Sequence, residues 1–366
     1  MTTILVLDQS TSATKALLFD ANDAVLDKES LPHTQHYPRP GWVEHDAEQI
    51  YANTLHAIRT LMARNAAQRD DLLCLSITNQ RETIVVFERE TGRPLYPAIV
   101  WQCRRGDALC AELTAQGHGD FVQQRTGLKI DTYFPASKLA WLFKHEPDIR
   151  RRVESGEALI GTIDTYLIYR LTGGAVFATD HTNASRTLLF NINTLAWDAD
   201  LCALFGVPVG ALPEVRESSA TFGETTCESA LDRPLPIAGV MGDSQAALFA
   251  ERCYRPGLAK VTFGTGSSVL LNIGPQPRLS DKGIVTTIGW VLRGQPAYAF
   301  EGIINFTGAT VQWLRDHLRL IETAAETEAL ATSIPDNGGV YLVPAFVGLS
   351  APYWRADAKG AIVGLT

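Results

Sequence analysis

The order of elements written into this chain predicts an α/β protein of two lobes that face each other across a central cleft. Three observations carry the prediction. The N-terminus reads as three strands in succession, followed by helix, strand and helix. A second strand–turn–strand segment, within Leu258–Ile273, repeats the opening device far along the chain. And 366 residues favour two or three domains over one.

The first strand is the apolar run Ile4–Asp8; Lys15–Asp20 and Ala24–Ser30 follow after turns rich in Ser, Thr, Asn and Asp. A Pro-rich loop, Tyr37–Trp42, leads to Asp46, which is placed to cap a helix running to about Asn65 with Ile50, Leu55, Ile58, Leu61 and Met62 on its apolar face. Leu72–Thr78 is the next core strand. Pro236–Gly242 reads as a strand ending in glycine, and Asp243–Ala250 as a helix. Leu258–Phe263 and Val269–Ile273 flank a Gly-Thr-Gly turn. Three strands before the first helix differ from a Rossmann βαβ order and fit a ribonuclease-H-like core of the actin-like ATPase kind. The two units are expected to span residues 1–246 and 247–366.

Hydrophobic content of 46% and charged content of 20% are those of an ordinary globular protein. A net charge of −8, with no basic run, argues against nucleic acid as a partner. No apolar run approaches membrane-spanning length, and Met1-Thr2-Thr3 leads directly into a strand without a signal-peptide pattern. The six cysteines lack C-x-x-C spacing, and His33 and His36 have no further cluster to complete a metal site, so both are expected in a loop. A reducing cytoplasm is the expected setting.

The most informative segment is Ile77-Thr78-Asn79-Gln80-Arg81-Glu82-Thr83. Four adjacent strongly polar side chains at the end of a core strand form either a solvated turn or a fixed set of donors and acceptors facing a cleft. The second option suits a small polyhydroxylated ligand. Asp8-Gln9-Ser10-Thr11-Ser12 and Phe263-Gly264-Thr265-Gly266-Ser267 are turns whose small residues let backbone N–H groups approach phosphate oxygens. Lys15 would add positive charge, and Asp8 is placed to hold Mg2+ through water. Neither turn is a Walker A loop. Asp243, between strand and helix, reads equally as an N-cap or as a general base. Trp101 and Tyr133 stand where an aromatic serves either the core or the carbon face of a polyol.

Taken with Tyr133–His145, these residues resemble the FGGY family of carbohydrate kinases, in particular its glycerol-phosphorylating branch. Pro40–Asp46, Ile99–Arg105, Thr182–Thr187 and Gln312–Asp316 extend the likeness over essentially the whole chain. The resemblance implies ATP-dependent, Mg2+-assisted phosphorylation of a terminal hydroxyl, glycerol to glycerol 3-phosphate. It assigns Arg81, Glu82, Tyr133, Asp243 and the Ser244 position to the polyol, Trp101 to its apolar face, and Asp243 to the base. It assigns Thr11, Ser12, Ala13, Lys15, Thr265, Gly266, Gly308 and Gln312 to the nucleotide, and Asp8 with Asp243 to the metal.

Departures from the family pattern occur at Ser10 (usually Gly), Lys15 (often Arg), Ser244 (usually Gln) and Ser268 (usually bulky). Glu228–Arg233 lacks the Gly-rich loop of the regulated bacterial members. Gly360–Thr366 begins the second family signature and stops there. The second lobe is therefore expected to be incomplete on its ATP side, and this 366-residue chain to be a poor kinase. A tetritol or pentulose kinase, a polyol-binding fragment without turnover, and a filament or chaperone ATPase of the same fold are the competing readings. Self-association is left open.

Overall fold

The computed structural model describes residues 2–264, 266–346, 348–355 and 357–366. Its first lobe is built on a six-stranded mixed sheet. β1 (Thr3–Gln9), β2 (Ala13–Asp20) and β3 (Val25–Pro32) form an antiparallel meander. β1 then pairs in parallel with a later strand, β4 (Leu72–Asn79), so the direction of growth reverses at β1. Asp46 accepts from the Glu48 and Gln49 amides and starts α1 (Ala47–Arg64), as its position in the sequence leads one to expect. Ile50, Ile58, Leu61 and Met62 of α1 are fully buried against Leu5, Leu7, Leu18 and Leu75 of the sheet. Alternating burial along β1 gives the sheet this apolar face.

A second, smaller sheet includes β5 (Ile84–Glu88) and is covered by α2 (Pro135–His145) through Leu139, Leu142 and Phe143. β6 (Ala158–Thr162) pairs antiparallel with β5 and runs directly into α3 (Ile163–Leu171). The six-stranded sheet is completed by β7 (Thr221–Thr225) and β8 (Leu235–Gly242), in the order β7-β8-β4-β1-β2-β3.

The second lobe carries a four-stranded antiparallel sheet. Its strands are β9 (Ala259–Phe263), β10 (Ser267–Gly274), β11 (Val285–Leu292) and β12 (Gln295–Ile304), in the order β9-β10-β12-β11. Between the lobes lies α4 (Asp243–Ala250). It leaves the end of β8 in the first sheet, yet its Leu248 packs on Leu270, Trp290 and Ala299 of the second. The expected unit boundary at 246–247 falls inside this helix. Three consecutive strands, then helix and strand, were legible from hydrophobic period; the parallel placement of β8 beside β4 was not. All six cysteines are free and buried. Among the described residues no helix is long and apolar enough to cross a membrane.

Candidate active site

β4 ends where β8 ends, because the two are parallel neighbours in register from Val240↔Ile77 to Gly242↔Asn79. That pairing brings the polar run after β4 against the start of α4. Asn79, Gln80, Arg81, Glu82 and Thr83 are all at most 4% exposed, which excludes the solvated-turn reading. Each finds partners. Asn79 exchanges hydrogen bonds with Asn183 at 3.0 and 3.2 Å. Gln80 donates to the Ser10 carbonyl at 3.3 Å and accepts from the Thr83 hydroxyl at 2.9 Å. Glu82 sits at φ +62°, in the left-handed region that non-glycine residues rarely enter.

The strain at Glu82 is held by a buried ionic network. Arg81 donates from Nη2 to Glu301 Oε1 at 2.7 Å and from Nη1 to Gln245 Oε1 at 3.1 Å. Arg186 donates from Nε to Glu82 Oε1 at 2.6 Å, and its Nη1 lies 2.6 Å from Glu301 Oε2. Two guanidinium groups and two carboxylates thus balance in a region shut off from water, the condition under which buried charge is tolerated. Glu301 comes from β12, so one corner of the network belongs to the second lobe. The two arginines hold the Glu301 carboxyl below its usual range despite burial. Glu82 is pushed up, since its desolvation outweighs the attraction of Arg81 and Arg186.

Asp243 is the first residue of α4, with Gly242 at the N-cap position, so its side chain is not the helix cap. Its Oδ1 accepts from the Ser244 amide at 2.6 Å and lies 3.4 Å from Arg81 Nε. The carboxylate is 47% exposed, and it opens into the cleft rather than to bulk solvent. The cleft walls raise its pKa above the ordinary 3.8; Arg81 and Lys260 oppose the rise, and Asp8 adds to it. A carboxylate that holds a proton more readily than a free aspartate is suited to accept one. Gly242 has a steric task as well: a Cβ there would lie 2.8 Å from Arg81 Cγ and Cδ.

These groups line one cavity of about 280 Å3. Ser10, Thr11, Ser12, Arg81, Glu82, Trp101, Tyr133, Asp243, Ser244, Gly266 and Ser268 all border it, so both turns and the polar run converge. The Trp101 and Tyr133 rings pack at 5.3 Å, and Trp101 Nε1 donates to the Thr11 hydroxyl at 3.0 Å, locking an aromatic wall to the first turn. Desolvation raises the Tyr133 phenol well above its usual range, so it is a neutral donor. In the second turn Gly266 is obligatory, because a Cβ would lie 2.6 Å from the Ile304 carbonyl oxygen. Thr265 lies outside the described residues.

Other expected residues sit at the margin. Lys15 is spent on Asp8, its cross-strand neighbour, at 2.7 Å. Ala13 closes the first turn by accepting the Ser10 amide through its carbonyl. Gly308 begins α5 (Gly308–Asp316) and donates its amide to the Gly264 carbonyl at 2.9 Å; Gln312, one turn on, is exposed. None of these four borders the cavity. Asp8, paired with Lys15, does not border the cavity but lies near enough to Asp243 to raise its pKa, and the two carboxylates are hard oxygen donors of the kind that fits Mg2+ bound mainly through water and phosphate.

Sequence reasoning missed Arg186, Gln245, Lys260 and Glu301. A charged residue in the apolar run Ala299–Ile303 was a usable signal for Glu301; Arg186 stood inside a recognised stretch without a stated role. The loop expected for both histidines holds for His33, just past Pro32, whereas His36 falls in a two-residue strand, Gln35–His36. The His33 ring is buried, donates from Nε2 to the Thr11 carbonyl at 2.8 Å, and packs edge-on against His45 at 4.6 Å, supporting the first turn from behind.

A cleft that sets a carboxylate between a polar pocket and two phosphate-type turns defines the actin-like class of phosphotransferases acting on small alcohols. Family profiles resolve the class further: the N-terminal domain of the FGGY family of carbohydrate kinases matches residues 3–250, and its C-terminal domain matches residues 259–366. The chain belongs to this family. It is 49% identical to a glycerol kinase of Carboxydothermus hydrogenoformans, over 99% of this chain and 73% of that protein. The crystal structure of Plasmodium falciparum glycerol kinase with ADP superposes with a TM-score of 0.89 at 38% identity, over all of this chain and 73% of that one. A ligand-bound xylulose kinase from Lactobacillus acidophilus shares the fold, with a TM-score of 0.87 at 22% identity.

Proposed function

We propose that this chain transfers the γ-phosphoryl group of ATP to a terminal hydroxyl of glycerol. The observation that carries the reading is the convergence of Arg81, Glu82, Trp101, Tyr133 and Asp243 on a cavity that both turns also border. Arg81, Glu82 and Tyr133 offer donors and acceptors to the three hydroxyls, and the Trp101 ring covers the carbon face. The attacking hydroxyl oxygen bonds to the γ-phosphorus, the bond to the β–γ bridging oxygen breaks, ADP leaves, and the hydroxyl proton passes to the Asp243 carboxylate. The amides of Thr11, Ser12 and Gly266 face the phosphates, the Gly264 amide being taken by the Gly266 carbonyl. Asp8 and Asp243 would hold Mg2+, which when bound neutralises phosphate charge. Positioning and charge supply the rate, with no covalent intermediate on the protein. Both reactants, and six free buried thiols, support a cytoplasmic setting.

The test is Asp243→Asn, which conserves shape and removes the base. Glycerol phosphorylation should fall on the order of 10² to 10⁴, while calorimetric glycerol binding persists. Near-normal turnover would reduce Asp243 to a helix-start residue.

A further inference from the structure

The wall of the cavity beside Asp243 is polar in a directed way. Ser268, on β10, stands across from Thr262 on β9 and from Ile303 on β12. Its Oγ lies 3.2 Å from Ser244 Oγ, on the first turn of α4. Beneath them Lys260, 4% exposed, donates from Nζ to Ser268 Oγ at 3.0 Å and to Thr262 Oγ1 at 2.7 Å. An ammonium group has donors only. Ser268 Oγ therefore accepts from Lys260, and its own proton must point elsewhere, to Ser244 Oγ or into the cavity. Ser244 is then free to direct its proton outward. Both serines border the cavity; Lys260 does not, and acts through them.

Two short hydroxyl side chains leave room next to Asp243 and line that room with donors. In the proposed placement Arg81, Glu82, Tyr133 and Asp243 meet the three glycerol hydroxyls, which leaves the serine pair for a further oxygen. We propose that Lys260, Ser268 and Ser244 form a subsite for an oxygen on a fourth substrate carbon, so that the enzyme accepts four-carbon polyols or ketoses beside glycerol. The inference rests on the polyol-kinase reading above. Lys260 is a positioning residue in it, fixing the direction of the hydroxyl chain. The burial that lowers its ammonium pKa to about 8 leaves it charged, and so a donor, at neutral pH.

The experiment measures binding and kcat/KM of the purified chain for glycerol, erythritol, D-threitol and erythrulose, in the wild type and in Ser268→Ala and Ser268→Phe. At least one four-carbon compound should be bound and phosphorylated by the wild type. Ser268→Ala should lower the four-carbon to glycerol ratio of kcat/KM by about tenfold, the worth of one lost hydrogen bond. Ser268→Phe, which fills the space, should abolish four-carbon binding and leave glycerol binding measurable. Turnover of glycerol with no binding of any four-carbon compound overturns the subsite alone. So does an unchanged ratio in Ser268→Ala, which would make the serine pair a strut between α4 and β10. Turnover of a four-carbon compound without glycerol sustains the subsite and overturns the glycerol reading. Absence of binding and turnover for all four overturns both.

Discussion

Glu301→Gln isolates the charge of the inter-lobe network while keeping its shape. In the wild type, Glu301 faces Arg81 at 2.7 Å and Arg186 at 2.6 Å, and the side chains of all three are at most 4% exposed. The amide keeps one acceptor oxygen and replaces the other with a donor aimed at a guanidinium. Two buried arginines are then left with Glu82 as their only fully buried anion. Breaking a buried pair in this way costs about 3–5 kcal/mol. At about 2.1 cal/mol/K per residue for unfolding entropy, 366 residues give about 0.8 kcal/mol/K, so Tm should drop by about 4–6 °C. The loss has a pH signature. The folded Glu301 pKa is depressed below 4.5, so its stabilisation is complete above that value and is lost as pH falls through the lower folded one. Wild type and variant should therefore converge in acid. Because Arg81 is also proposed as a polyol ligand, KM for glycerol should rise in the same variant. Calorimetric melts from pH 7 down to 3, with steady-state kinetics at pH 7, provide the measurement. A Tm change under 1 °C with unchanged KM would show that the network carries neither stability nor substrate placement, and the reasoning would fail.

Other outcomes follow from single contacts. Asp243 has a raised pKa, so turnover should fall as pH drops through a value above the ordinary 3.8; Lys260→Met removes a charge that lowers this pKa and should move the acid limb to higher pH, whereas an unmoved limb would place the titration elsewhere. Gly242→Ala puts a methyl against Arg81 Cγ and Cδ and should raise glycerol KM with little change in the fold, checked by kinetics alongside circular dichroism. Trp101→Phe keeps an aromatic wall but loses the hydrogen bond to Thr11, so ATP KM should rise about as much as glycerol KM; an effect on glycerol alone would uncouple the wall from the turn.

The parts of this site that could be read in the sequence are those whose polarity contradicts their setting. Arg81 and Glu82 stand out because four polar residues ending a core strand need either solvent or a use, and their burial leaves the second. The two turns announce themselves because strand, small residues and strand recur. Arg186 and Glu301 carry as much charge, yet neither was given a role. Each is explained only by a partner more than a hundred residues away, 104 from Glu82 to Arg186 and 220 from Arg81 to Glu301. Local periodicity has no access to such pairs. The same holds for α4. Hydrophobic period gives a helix from Asp243 to Ala250, but not that it leaves one sheet and packs on the other.

That bridging placement lets Asp243 serve both halves of the proposed chemistry. Its backbone is fixed by β8, whose register with β4 also sets Arg81, so the proposed base and the proposed polyol ligand share one frame. The remainder of its helix is anchored through Leu248 to Leu270, Trp290 and Ala299 of the second sheet, beside the turn at Gly264–Gly266. The turn and Glu301 both belong to the second sheet, and α4 ties that sheet to the end of β8. The polyol side of the site and the phosphate side are coupled through one helix and one carboxylate. A variant that loosens either should thus change the apparent affinities for glycerol and ATP in parallel.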